Sequence, residues 1–491
     1  MHRAALIFTL VVTSGCPGGG GGGTGGGTAG GVSPFGGGVS STGGGAVTGG
    51  GSAGSSGGGS SMAGGMGGGA AMGGGAAMGG GSSSGAGSLV VPSFVFDPKV
   101  VASADGAFHL VHRTQTPGSI VYGRCTSGCG AASGWTFVTI EPSNIAVRAP
   151  RIAVGADGRV HVVYTQSSPS QHTYATCAAN CGTASNWTKT LIPTPGNCDW
   201  EDQNTGLVLD TAGRLSFMSS DGNTENLCLT TCAGSCTTAS NWENGSILNL
   251  RAGGRRVNHA FAGHGTTLHL VFEDLTAGLR YSSCTSNCTQ FASWQQSNPL
   301  FFHGGEEPIA LSVSAQGRLA LAFNQGTTDA SAPAAVKMFD NRLGLWECTT
   351  NCSDPMAWQG VVVGAEGDGK NGVATASTSA GLVAVSAESS GSSVYVCEAN
   401  CGTATNWTGG ALDTAASLTA ALPDAYSVLG CTVNGQMVRP QSAGWVPERP
   451  VVALSSAGLV VHTMTKGLRT CPGLTTPATF PGYGRLHFAP P

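Results

Sequence analysis

Charge is scarce in this chain. Lys, Arg, Asp and Glu make up 10% of its 491 residues, with 22 basic against 26 acidic side chains and a formal net charge of -4. So thin and slightly acidic a charge complement excludes the basic footprint that nucleic-acid binding requires. Long apolar runs are missing too. The run from Ala4 to Val12 is too short to cross a bilayer as a helix. Residues 17–88 lack both charge and a hydrophobic pattern, being Gly, Ser, Ala, Thr and Met almost throughout. They hold too little apolar surface to offset their ordering entropy, so this stretch is predicted to have no fixed fold. Gly does not recur at every third position, which excludes a collagen triple helix. As a flexible coil of about 70 residues the stretch would span roughly 45–50 Å end to end, a tether rather than a domain.

What is present begins with the N-terminus, "MHRAALIFTLVVTSGC". Basic residues, a short apolar run and small residues before Cys16 have the order of an export signal. The "TSGC" ending resembles a bacterial lipoprotein signal, although Thr13 stands where Leu or Val is usual. The resemblance implies a signal over 1–15, lipidation of Cys16, and a linker over 16–88. Pro17 stands where an inner-membrane retention signal places Asp. That implies a lipid anchor in the cell envelope, at the outer membrane or surface of a diderm bacterium. Of 17 cysteines, setting aside Cys16 leaves an even 16, as an oxidised exported protein has. A zinc reading is weak, because no C-x3-C pair is joined by a second pair or His-x3-His at finger spacing.

The skeleton C-x3-C-x5-W occurs six times. Its members are Cys125, Cys129 and Trp135, then Cys177, Cys181 and Trp187, then Cys232, Cys236 and Trp242. They continue as Cys284, Cys288 and Trp294, then Cys348, Cys352 and Trp358, then Cys397, Cys401 and Trp407. Repetition of this kind sets the architecture. Upstream of each phrase a Gly turn leads into a short alternating strand, as in "GAFHLVH" from Gly106, "GRVHVVY" from Gly158 and "GRLALAF" from Gly317; "GLVVH" from Gly458 is the seventh such strand. An apolar run precedes each turn, another precedes the cysteines, and a fourth follows each Trp. Four short strands per unit predict an all-β, seven-bladed propeller of four-stranded blades over 89–491.

Here the chain resembles the sialidase-like propellers, whose Asp-box repeats fill the turn between third and fourth strands. The resemblance rests on the strand rhythm and on the "Y-x-x-C…W" and "G-x-h-H-h-V-Y" phrases. Gly182 and Gly402 stand where the box carries its Asp, and an i to i+4 disulfide within each phrase is expected to replace its hydrogen bonds. Cys198 and Cys228 face one side of blade three and are expected to pair, which leaves Cys431 with Cys471 across the insertion at 413–447. Blade seven needs a closing strand, either "LVVPSF" (89–94) or "GRLHF" (484–488).

A propeller has two faces. The turns from first to second and from third to fourth strand carry small repeated residues and the cysteines, a scaffold face. The opposite loops differ from blade to blade. They hold Arg148 and Arg151, then Trp200, Glu201 and Asp202, then Arg255, Arg256 and His259, then Glu306 and Glu307, then Lys370, then Glu448 and Arg449. These residues precede the innermost strand and are expected to ring the channel mouth as the ligand-binding set. His109, His161 and His269 share one repeat position and are expected to be packed between blades, as are Trp135 and its equivalents. Trp200 and Trp445, outside the repeat phase, are the expected stacking platforms for a ligand.

The preferred functional reading is a tethered, monomeric surface propeller that binds a glycan or a protein at its charged face. No cofactor is predicted, and the sequence leaves open whether calcium contributes. By resemblance the enzymatic alternative is an exo-sialidase or related glycoside hydrolase, with Arg148, Arg256 and Arg449 on a carboxylate; no Tyr–Glu pair is assignable from the residues. The third reading is a non-catalytic protein–protein scaffold.

Overall fold

The computed structural model describes residues 87–490 apart from loop segments at 115–117, 143–146, 168–169, 194–197, 199–205, 221–225, 250–257, 275–277, 301–308, 326–341, 365–370, 378–380, 434–435 and 474–476. Its strands form a seven-bladed β-propeller. Blades two to six are separate four-stranded antiparallel sheets, and blades one and seven are joined in a seven-stranded sheet. Blade two runs Val147–Val154, Val160–Ser167, Ser170–Cys177 and Thr188–Ile192, and blades three to six repeat this order.

Ring closure uses both candidate segments. The strand Gly87–Ala102 serves two blades. Its first part is the outer strand of blade seven, paired Gly87↔Phe488 to Val91↔Gly484. Its second part is the inner strand of blade one, paired Val95↔Thr114 to Ala102↔Phe108. "GRLHF" lies in the third strand of blade seven, Ala478–Ala489. The first strand begins at Gly87, two residues before the boundary expected at Leu89.

The repeated phrase is a compact turn, and each of its cysteine pairs is bonded as expected. Cys125 is joined to Cys129, Cys177 to Cys181, and Cys232 to Cys236. Cys284 is likewise joined to Cys288, Cys348 to Cys352, and Cys397 to Cys401. Cys198 with Cys228 and Cys431 with Cys471 complete the eight disulfides. The residue before the second cysteine takes left-handed backbone in five of the six turns: Gly128 (φ 65), Asn180 (53), Asn287 (52), Asn351 (55) and Asn400 (53). Gly and Asn are the types that tolerate this region. The sixth turn departs from this, because Ser235 precedes Cys236 and the left-handed position moves back one residue to Gly234 (φ 83). A single 3-10 turn lies between each second cysteine and its Trp, and the Trp indole then donates back to the carbonyl of that cysteine. The distance is 3.0 Å from Trp135 to Cys129 and from Trp187 to Cys181. It is 2.8–2.9 Å from Trp242 to Cys236, Trp294 to Cys288, Trp358 to Cys352 and Trp407 to Cys401. Each Trp is thereby held in the gap between blades.

Three blade junctions add a second element. His109, His161 and His269 bond through Nδ1 to Tyr122, Tyr174 and Tyr281 of the adjacent strand, each at 2.7 Å. Those tyrosines meet the Trp of the following blade edge-on, at 5.1 Å for Tyr122–Trp187, 5.5 Å for Tyr174–Trp242 and 5.8 Å for Tyr281–Trp358. Such aromatic pairs contribute about 0.5–1.5 kcal/mol each beyond area burial. Burial holds the three histidines down to about 4, so they are neutral at pH 7 and act as packed hydrogen-bonding groups.

Between blades six and seven the chain forms an insertion with two short helices, α1 (Ala415–Ala421) and α2 (Ala425–Val428), and a hairpin, Cys431–Val433 with Gln436–Val438. It packs on an outward prolongation of the blade-seven sheet through Leu418, Leu422, Leu429 and Trp445. The disulfide from Cys431 to Cys471 ties the hairpin to that sheet.

Candidate functional site

Strand direction places the start of every inner strand on the face opposite the cysteines. There blades seven, one and two share one local form. Register breaks between Glu448/Val451, Phe96/Lys99 and Arg148/Arg151. Each break contains a non-glycine residue in the left-handed region followed by proline: Arg449 (φ 47) before Pro450, Asp97 (φ 49) before Pro98, and Ala149 (φ 44) before Pro150. The bulge turns the chain at the channel rim.

Asp97 is the electrostatic centre of this rim. Its side chain is fully buried; Arg449 Nη1 donates to Oδ1 at 2.7 Å and Arg113 Nη2 lies 3.4 Å from Oδ2. The Arg113 guanidinium lies 4.3 Å above the Phe96 ring. Arg449 Nε is 3.6 Å from Glu448 Oε1, and its backbone N–H donates to the Asn371 carbonyl at 3.0 Å. Lys466 Nζ reaches Asn371 Oδ1 at 3.4 Å. Blades six, seven and one thus meet in one polar group with both signs of charge. Arg449 is 39% exposed and Glu448 21%, so both reach solvent at the mouth. Arg148 is half-buried one blade on.

Two residues of the expected set do not face the mouth. Arg151 is fully buried; it donates to the carbonyls of Ala149 at 3.3 Å and Met218 at 2.9 Å and lies over the Phe217 ring, so it seals blade two against blade three. Burial, with Arg151 beside it, holds His172 down to about 3. His259 is buried where the first strand of blade four begins. Trp445 also departs from the expectation of a stacking platform: it is buried against α1 and α2 and donates to the Pro423 carbonyl at 2.8 Å. Trp200, Glu201, Asp202, Arg255, Arg256, Glu306, Glu307 and Lys370 lie outside the described residues.

Asp97 escaped the sequence reading, although "FDPKV" carries the same residue-before-proline signal as "VRAPR" and "VPERP". A Tyr–Glu bond is also present: Tyr164 Oη donates to Glu141 Oε2 at 2.6 Å, and Lys189 Nζ lies 2.9 Å from the same oxygen. Tyr164 is fully buried, and Glu141 and Lys189 belong to outer strands. Burial, then the bond to Glu141, raises the Tyr164 phenol, which stays protonated. The pair lies away from the channel and does not form a nucleophile there. Among the described residues no group of three His, Cys, Asp or Glu could hold a metal ion.

The scaffold face is different in kind. Three of its ion pairs are local, Arg124 with Asp105 at 3.4 Å, Arg159 with Asp157 at 3.7 Å and Arg214 with Asp210 at 3.0 Å, each within one blade. At the mouth, by contrast, the bond from Arg449 to Asp97 crosses from one blade to the next.

No family model and no curated protein sequence matches the chain. Solved propellers are similar in outline. A mutant of AofleA from Arthrobotrys oligospora has 10% identity, with 67% of this chain and 90% of that one covered at a TM-score of 0.43. The six-bladed lectin of Aleuria aurantia, described with a fucose recognition mode, has 11% identity over 65% of this chain and 96% of its own, at 0.40. The polysaccharide lyase Uly1 has 7% identity over 80% and 89%, at 0.41. Likeness at this level carries no argument about ligand or activity, and the seven-bladed architecture stands on the strand pairing itself.

Proposed function

We propose that this protein is an exported, lipid-anchored surface propeller that binds a ligand, a glycan or another envelope component, through the charged channel mouth. The observation that carries this reading is the backbone of the rim. On the cysteine face, left-handed positions are filled by Asn and Gly. At the mouth glycines fill them too, at Gly364, Gly372 and Gly473, but in the rim bulges of blades seven, one and two they are filled by Arg, Asp and Ala, each before a proline. A non-glycine left-handed residue costs about 1–2 kcal/mol, and such cost persists chiefly where the conformation is itself used. Three neighbouring blades keep it at one position. The consequence is a rim at which Glu448 and Arg449 reach solvent while Asp97 ties the bulge of blade one to that of blade seven.

Glycan-array binding of the purified full chain tests the reading, beside Arg148→Ala and Glu448→Gln. Binding by the wild type that both substitutions abolish supports a glycan site at the mouth. Binding untouched by either would move the site elsewhere. The sialidase-type reading gains no observation from this geometry.

A further inference from the structure

We infer that the cysteine-stapled face rests against the lipid surface, with Phe291 and Met356 in contact with it, so that the charged mouth faces away from the membrane. The inference rests on the reading of Cys16 as a lipid anchor.

Chain direction supplies the first ground. The outer strand of blade seven starts at Gly87, beside Phe488 and the 455–458 turn, and runs toward the mouth. Gly87 packs so closely on Gly130, the residue after Cys129, that a Cβ there would lie 2.6 Å from the Gly130 carbonyl oxygen. The segment that carries Cys16 is therefore joined to the folded ring on the cysteine face. The other end of the fold returns there too, since Ala489 pairs with Leu459 next to the same turn.

Surface chemistry supplies the second. The 3-10 turns of blades one to six project from this face, and most carry Ala, Ser, Thr or Gly. Blades four and five, which are neighbours, instead present Phe291 at 49% exposure and Met356 at 87%. Moving exposed Phe and Met side chains out of water is favourable. Two apolar contacts on the tethered side give the ring a preferred way to lie. Arginines close Asp105, Asp157 and Asp210 locally, which lowers the cost of bringing those turns near headgroups, while Asp354 and Glu398 stay exposed on the same face.

The protein carries its own reporters, because Met437 on the insertion is 71% exposed on the opposite face. The full chain, lipidated in an exporting host, is reconstituted on phosphatidylcholine vesicles and compared with Cys16→Ser protein in solution. Hydroxyl-radical footprinting is then read by mass spectrometry as methionine sulfoxide. Met356 oxidation should fall about threefold or more on vesicles, with Met437 unchanged. A lipidated Phe291→Ser, Met356→Gln chain should still float with the vesicles yet lose protection of its cysteine-face turns. Flotation of wild type but not Cys16→Ser, with Met356 oxidised equally in both forms, overturns the orientation and leaves the anchor standing. So does protection of Met437 instead. Failure of the wild type to float removes the anchor and the orientation together.

Discussion

Replacing Arg449 by alanine separates a rim that merely looks polar from one that locks the ring. Asp97 has no exposed side-chain surface, and its oxygens face Arg449 at 2.7 Å and Arg113 at 3.4 Å. Removing one partner of a buried pair costs about 3–5 kcal/mol, because the other charge is left without compensation. Two features reduce that figure: Arg113 remains, and Arg449 is 39% exposed and partly screened by water. We expect about 2–3 kcal/mol for Arg449→Ala. Asp97→Ala should cost less than that, since both arginines can then turn to solvent. Asp97→Gly should be milder than Asp97→Ala by about 1 kcal/mol, because glycine accepts φ 49 without strain. Equilibrium urea unfolding followed by tryptophan fluorescence measures all three, and the double variant gives the coupling, expected above about 1 kcal/mol. Arg449→Ala within about 0.5 kcal/mol of wild type, the range of ordinary surface changes, would refute the argument.

Acid should loosen the ring before it protonates most carboxylates. His109, His161 and His269 fall to about 4 in the fold, below their ordinary value, so the unfolded chain takes up protons first. Their contribution is complete above pH ~6.5 and is lost as pH drops toward 4, at up to about 1.4 kcal/mol per pH unit for each; urea midpoints unchanged between pH 7 and 4.5 would contradict this. Trp187→Ala removes the contact to Tyr122 and the bond to the Cys181 carbonyl and should cost about 3–5 kcal/mol, with hydrogen exchange rising first in 120–125 and 188–192. Replacing Cys198 and Cys228 by serine opens a longer loop than replacing Cys177 and Cys181, with separations of 30 against 4, and should cost about 3.5 against about 2 kcal/mol. Similar losses for the two pairs, by calorimetry, would show that loop entropy is not what these bonds supply. Arg148→Ala should abolish ligand binding; binding equal to wild type in the same assay would remove Arg148 from the site.

The blades were legible because their turns obey one local chemistry. Cysteine spacing, the Asn or Gly close before the second cysteine and the Trp after it are all short-range demands. They survive in six units whatever the neighbours do. The histidines were legible for a subtler reason: blades one, two and four have both the strand-two His and the strand-three Tyr, as their bond requires. Blade seven was left open because it lacks the phrase, and its outer strand comes from the far end of the chain. Trp445 was misread because nothing local reveals that Leu418, Leu422 and Leu429 cover it. Arg151 was misread because its partners, the Met218 carbonyl and the Phe217 ring, belong to the next blade. Asp97 was passed over because its role depends on Arg449, which lies at the other end of the chain.

The strand Gly87–Ala102 gives manufacture of this protein a fixed order. Of the described strands it comes first in the chain, and its partner Ala478–Ala489 comes last. Blades two to six have all their strands in sequence and can form as the chain emerges. Blade seven cannot, and Asp97 meets Arg449 only when its neighbouring strand arrives. A chain cut short before residue 478 would lose the third strand of blade seven, and with it the only strand to which 87–91 is paired. Ring closure therefore waits for the strand Ala478–Ala489: a chain without it keeps two open sheet edges, which exposes it to proteolysis and aggregation.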